Sequence, residues 1–263
     1  MAQPQFAEQY PRLADGIIDI PDDKGLRQAL FLRKVEHPAK NNLYLLDAIT
    51  DYLTKPGDRV LDPMAGGGST MYVARKDRSV TLIELEPAFV ELLYENRPGF
   101  TGEITIIPGD CRKILPIPGT FDLIMFSPPY ANQLKASKGA AVYDPEQRGI
   151  AQGIVDFVTH PDNLSKLSEF WFNQAMSDVY ERCLASLKPT GYMVIIIKDQ
   201  MRNRERVRYA EQHSRMAMRL GFELAEWHQH KHIGKLWGFY NIKHGIEQVE
   251  EEDILMFRRH NVT

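Results

Sequence analysis

Cysteine is scarce: Cys111 and Cys183 are the only two in 263 residues. They are too few and too far apart for a disulfide framework or a zinc site, so a reducing compartment is expected. No apolar run approaches the ~20 residues of a membrane span, and Met1-Ala2-Gln3-Pro4 has no signal-peptide core, which points to the cytoplasm. Net charge is also small, −3 from 32 Lys and Arg against 35 Asp and Glu. That balance excludes nonspecific coating of nucleic acid and demands a local basic surface for any such contact. What is plentiful is apolar content, 43% of the chain. It suffices to bury a full core and fits one domain over 1–263.

The chain has a recognisable order. Residues 1–36 form an extension broken by Pro11, Pro21 and Gly25. Asn42 to Leu53 reads as a helix, with Leu45, Ala48, Ile49, Tyr52 and Leu53 on one face. Strand and helix patterns then alternate from Arg59 to Ile124, the signature of a parallel sheet with crossover helices. Residues 131–162 carry little apolar period and are too long for an ordinary connection, so they read as a lid or recognition loop. A long amphipathic helix is expected over Asn163 to Leu187, with its aromatic residues Phe170 and Trp171 in the core. Tyr192 to Ile197 is apolar on both faces, as a central strand should be. The chain closes on a hairpin over 228–252 that leads into the strand Asp253 to Phe257.

Chemistry concentrates at the predicted strand ends. Ser127-Pro128-Pro129-Tyr130 follows the run Phe121 to Phe126 and forms a stiff turn, because neither proline can donate a hydrogen bond and each fixes its own φ. A hydroxyl and a carbonyl thus become acceptors beside an aromatic face, which suits a flat ring carrying an exocyclic amino group. Upstream, Arg59-Val60-Leu61 runs into Asp62-Pro63-Met64-Ala65-Gly66-Gly67-Gly68-Ser69-Thr70, a glycine loop that opens a helix capped by Ser69 or Thr70. It is neither a P-loop nor a dinucleotide fingerprint, since both spacings are missing. Glu84 ends the next strand, placed to accept ribose hydroxyls, and Asp110 with Cys111 follows the strand Ile104 to Ile107.

These motifs, in this order, resemble the S-adenosylmethionine-dependent DNA amino methyltransferases that act on cytosine N4 or adenine N6. The resemblance runs from His37-Pro38-Ala39-Lys40 to Leu187-Lys188-Pro189-Thr190-Gly191. It implies a Rossmann-like fold: a mostly parallel seven-stranded sheet with an antiparallel terminal strand and helices on both faces. It also implies that His37 to Lys40 and the loop from Asp62 to Thr70 hold the methionine end of the cofactor. By the same resemblance Glu84 holds the ribose, Asp110 meets the adenine amino group, and the Pro-Pro-Tyr turn holds the target amine. Met64 stands where the family usually has Phe. Ser127 in place of Asp or Asn is similar to the N4-cytosine group. Adenine N6 methylation, an RNA amino methyltransferase, a protein-glutamine methyltransferase and a noncatalytic cofactor-binding partner are the alternatives. The implied partner is double-stranded DNA with one base flipped out. A homodimer would compensate for the lack of a large recognition domain.

Cations near this edge form the expected DNA surface: Lys135 and Lys138 in the long loop, Lys198, Arg202, Arg204 and Arg206 around a strand end and helix start, and His230 with Lys231. His228, His230 and His232 alternate, which in a strand puts all three rings on one face. No further ligand cluster is evident and methyl transfer from a sulfonium needs no metal, so no metal site is expected and the histidines read as a surface strip.

Overall fold

Strand and helix alternate through the first half of the computed structural model, which describes residues 5–33, 40–131, 159–202, 205–232, 245 and 248–259. Helices α1 (Lys24–Leu30) and α2 (Leu43–Leu53) precede strand β1 (Arg59–Asp62). Then come β2 (Ser79–Glu84), α3 (Pro87–Asn96), β3 (Ile104–Pro108), α4 (Cys111–Ile114) and β4 (Phe121–Phe126). The second half holds α5 (Glu169–Ser186), β5 (Leu187–Ile197), β6 (Gln200–Arg202), β7 (Glu205–Val207), α6 (Tyr209–Arg219), β8 (Phe222–Lys231) and β9 (Glu251–Arg259).

Seven of these strands form one sheet in the order β3-β2-β1-β4-β5-β9-β8. Neighbours from β3 to β5 pair in parallel, whereas β9 runs antiparallel to both β5 and β8. The apolar run in β5 is buried on both sides, with Val194, Ile195, Ile196 and Ile197 all at 0% exposure. Alternation divides it between two cores. Val194 and Ile196 pack with Leu123, Met125 and helix α2, while Ile195 and Ile197 pack with Phe126 and helices α5 and α6. Helices therefore cover both faces, and truncating a residue such as Ile195 to Ala would cost about 2–5 kcal/mol. Helix α2 starts where Asn42 accepts the N–H groups of Tyr44 and Leu45.

Four local expectations are corrected. The glycine loop opens a helix as expected, a 3-10 helix over Ser69–Lys76, but its N-cap is Gly68 and neither Ser69 nor Thr70 caps it. The predicted helix from Asn163 is a short 3-10 turn, Leu164–Lys166, followed by α5. Within α5, Phe172, Met176, Val179, Tyr180 and Cys183 face inward, whereas Phe170 and Trp171 are 63% and 62% exposed because they fall outside that stripe. Finally, the cationic segment after β5 is not a helix start but the hairpin of β6 and β7, and α6 begins only at Tyr209.

Candidate active site

Parallel strands deliver their loops at one edge, the edge where open α/β sheets bind ligands. Asp62 closes β1, Glu84 closes β2, Asp110 follows β3, Ser127 to Tyr130 follow β4, and Lys198 follows β5. Because β1 lies between β2 and β4, the glycine loop sits between Glu84 and the diproline turn.

The loop is organised by two buried acids. Asp62 accepts the Thr70 hydroxyl at 2.5 Å and the Met64 N–H at 3.0 Å. Glu84 accepts the Gly66 N–H at 2.7 Å and the Glu86 N–H at 2.8 Å. Gly66 takes φ +50 and a Cβ there would meet nothing, so the loop surface is open at that point. Gly68, at φ +80, is different: its missing Cβ would collide with Leu93 and Met71 at 2.5 Å. Torsion favours glycine there, while the contacts are with movable side-chain ends. Burial pushes the Asp62 carboxyl up to about 6 against the opposing hydrogen bonds. It pushes Glu84 up to about 7, with the neighbouring Asp62 charge adding to the effect. Two buried carboxyls held near neutrality form a site short of donors and positive charge.

Other expected residues are already engaged. Ala65 is buried and its N–H bonds the Ile83 carbonyl at 3.0 Å. Ser69 receives a hydrogen bond from Arg27 Nη1 at 3.1 Å. Asp110 caps α4 and is gripped by Arg112 through Nε and Nη2, the latter at 2.6 Å, which holds its carboxyl below the usual range against the effect of burial. The Cys111 thiol is buried and pushed up to about 12. Lys40 is half-buried just before α2, while His37, Pro38 and Ala39 lie outside the described residues.

At the turn, Pro128 is buried and Ser127, Pro129 and Tyr130 are half-buried. The Tyr130 hydroxyl donates to the Lys198 carbonyl and accepts the Lys198 N–H, both at 3.0 Å, which locks the end of β4 to the end of β5. Its ring leans on Tyr209 at 5.1 Å between centroids. Among the described residues nothing bonds the Ser127 hydroxyl, which remains open as an acceptor.

The expected basic surface is partly spoken for. Arg206 bridges Asp199 at 2.8 Å and Glu251 at 2.6 Å. Arg202 donates to the Ala131 carbonyl at 3.0 Å, and the Lys198 ammonium donates to the His232 carbonyl. His230 is corrected from a surface position: it is 1% exposed and bonded to Glu252 at 2.9 Å. Lys231 is half-buried at the end of β8, and Lys135, Lys138 and Arg204 lie outside the described residues.

Sequence reasoning missed Glu86. This residue, 2% exposed, collects the Thr159 N–H and hydroxyl, the His160 N–H and the Asn163 amide, all within 3.1 Å. It pins the end of the long loop and the adjoining Asn163 to the edge bearing Glu84. Arg27 was missed too, although its i,i+4 spacing from Asp23, realised as a 2.8 Å ion pair, was a readable signal.

A scan of protein-family models finds no match, and neither does a search of curated proteins. Solved structures do match. A methyltransferase from Pyrococcus furiosus superposes with a TM-score of 0.54 at 16% identity, over 90% of this chain and 94% of that one. The cyclase SpnF gives 0.55 at 16% identity, over 83% of this chain and 81% of its own. The fold is therefore that of the Rossmann-like methyltransferases. Since one of the two neighbours is a cyclase, the reaction has to be argued from the site itself.

Proposed function

We propose that this chain transfers a methyl group from S-adenosylmethionine to an exocyclic amino nitrogen of a base flipped out of double-stranded DNA, with cytosine N4 the favoured target. The observation that carries this reading is the open Ser127 hydroxyl on a clamped diproline turn, at the same strand edge as the glycine loop and the buried acids. The donor set suits the cofactor: Glu84 keeps acceptor capacity for a ribose diol, and the acidic crevice favours a cation. When bound, S-adenosylmethionine supplies an electrophilic methyl group on a sulfonium.

The work of the protein's own residues is alignment. An exocyclic amine is a poor nucleophile because its lone pair is delocalised into the ring. Ser127 Oγ and the Pro128 carbonyl would accept its two N–H bonds and favour a more pyramidal nitrogen with an available pair. Such positioning and electrostatic stabilisation lowers a barrier by several kcal/mol. Tyr130 would offer its ring face to the flipped base, and Lys231 with the cations around β6 and β7 would meet the opened strand. Asp110 would have to share its carboxylate with Arg112 to take the adenine amino group.

The test is side-by-side incubation of labelled S-adenosylmethionine with duplex DNA, RNA and protein, followed by nucleoside mass spectrometry. N4-methylcytosine in DNA is expected, N6-methyladenine or label in RNA would redirect the substrate, and no transfer to any of them would sink the reading. Ser127→Ala should lower kcat by about 10²–10³ while leaving cofactor affinity nearly unchanged.

A further inference from the structure

Two imidazoles and a carboxylate meet where β8 and β9 reach the functional edge. His230 pairs directly across from Glu252, and the ladder continues as the His232 N–H bonds the Glu250 carbonyl at 2.7 Å. With a side-chain period of two, His230, His232 and Glu252 share the sheet face that also carries Ile254 and Met256. One ligand atom from each lies within 4.8 Å of the others, and the two imidazole rings stand 5.9 Å apart at 69°.

The cluster is largely buried, and one of its ring nitrogens has no partner among the described residues. His230 is 1% exposed and Glu252 9%, and His230 Nδ1 is buried with no hydrogen-bond partner among the described residues. His230 turns Nε2 toward Glu252, and an ion held between them would replace the proton that this nitrogen shares with the carboxylate. Two nitrogens and one carboxylate oxygen suit borderline divalent transition metals, whereas magnesium and calcium prefer all-oxygen sets. The carboxylates of Glu250, Glu251 and Glu252 all act on Lys198, and part of their charge is offset by Lys198 itself and by Arg206 on Glu251. His232 is half-buried, which leaves the ion an approach from solvent.

We propose that His230, His232 and Glu252 bind one divalent transition ion of the zinc type, which staples the β8–β9 end of the sheet beside the diproline turn. The connection to the turn runs through Lys198: its ammonium holds the His232 carbonyl, and its backbone holds the Tyr130 hydroxyl. The site needs neither cofactor nor nucleic acid, so it stands whether or not the chain is a methyltransferase.

The experiment uses the full, untagged chain stripped with a chelator and dialysed. Cobalt(II) is titrated in while visible absorbance is followed, and zinc affinity is measured by competition with a chromophoric chelator. One equivalent per chain is expected, with zinc raising the thermal midpoint. His232→Ala should weaken binding by about 10-fold or more and abolish that rise. His228→Ala should bind as the wild type does, because the His228 ring pairs with Glu226 at 2.6 Å instead. His232 carries the test because it is less buried than its partners, and circular dichroism of the apo variant checks its fold. Failure of the wild type to take up one equivalent, uptake unchanged in His232→Ala, or equal loss in His228→Ala would each overturn the proposal.

Discussion

The Glu84 carboxylate holds the Gly66 N–H at 2.7 Å, so the residue proposed to accept the ribose hydroxyls also sets the shape of the glycine loop. Burial keeps this carboxyl near 7 in the free protein, against an ordinary value of 4.5. Donors from a bound diol would pull it back down, so binding should release a proton near neutrality. Affinity for S-adenosylmethionine is expected to weaken as pH falls below 7, by up to about tenfold per unit. Calorimetry in two buffers of different ionisation enthalpy measures the proton directly, and a zero count at pH 6.5 would contradict the assignment.

The same shift has the opposite sign for stability. A folded-state value raised from 4.5 to about 7 means that folding takes up a proton between those values. The contribution of Glu84 is complete at the acid end and is lost as pH rises through 7. Glu84→Gln should therefore be relatively more stable than the parent at pH 8 than at pH 4.5, as read from urea midpoints of the cofactor-free proteins.

Glu86 ties Thr159, His160 and Asn163 to the sheet edge. Glu86→Ala leaves those donors without a charged acceptor, and a loss of roughly 2–4 kcal/mol is expected. Limited proteolysis should cut the variant sooner near residue 159. Unchanged cleavage and an unchanged unfolding midpoint would show that the clamp does nothing.

Removing one oxygen tests the lock between β4 and β5. Tyr130→Phe keeps the ring but strands the Lys198 N–H and carbonyl, at a cost of about 1–3 kcal/mol. Denaturant unfolding reads this directly, and a change below about 0.5 kcal/mol would mean that water replaces the hydroxyl.

Both thiols should be silent in the native state. Burial pushes Cys111 up to about 12 and Cys183 well above the ordinary thiol range, so neither holds an appreciable thiolate fraction at pH 8. A thiol-reactive dye should label neither residue until denaturant is added and then label both. Fast native labelling of either would contradict their placement.

How much of this could be read from the chain depended on the range of the interaction. Leu123 to Phe126 in β4 and Tyr192 to Ile197 in β5 are uninterrupted apolar runs, and such a run has little choice but the middle of the sheet. The glycine loop, Glu84 and the diproline turn were legible because each stands where a local pattern stops. Glu86 and Glu252 were not, since their partners lie 73 to 77 and 22 residues away in sequence. The pairing of His230 with Glu252 was not legible, because alternating histidines on one strand do not reveal which acid faces them from the next. The β6–β7 hairpin was hidden because its charges satisfy the periodicity of neither helix nor strand. Phe170 and Trp171 misled because aromatic character suggested burial where the geometry of α5 gave exposure.

Strand β9 enters the sheet against the direction of its neighbours, so the chain segment leading into it opens on the same rim as the loops that follow β1, β2, β4 and β5. A change at residues 248–250 would thus reshape that rim at its β9 end, while the half of the sheet that carries Asp62 and Glu84 stays untouched.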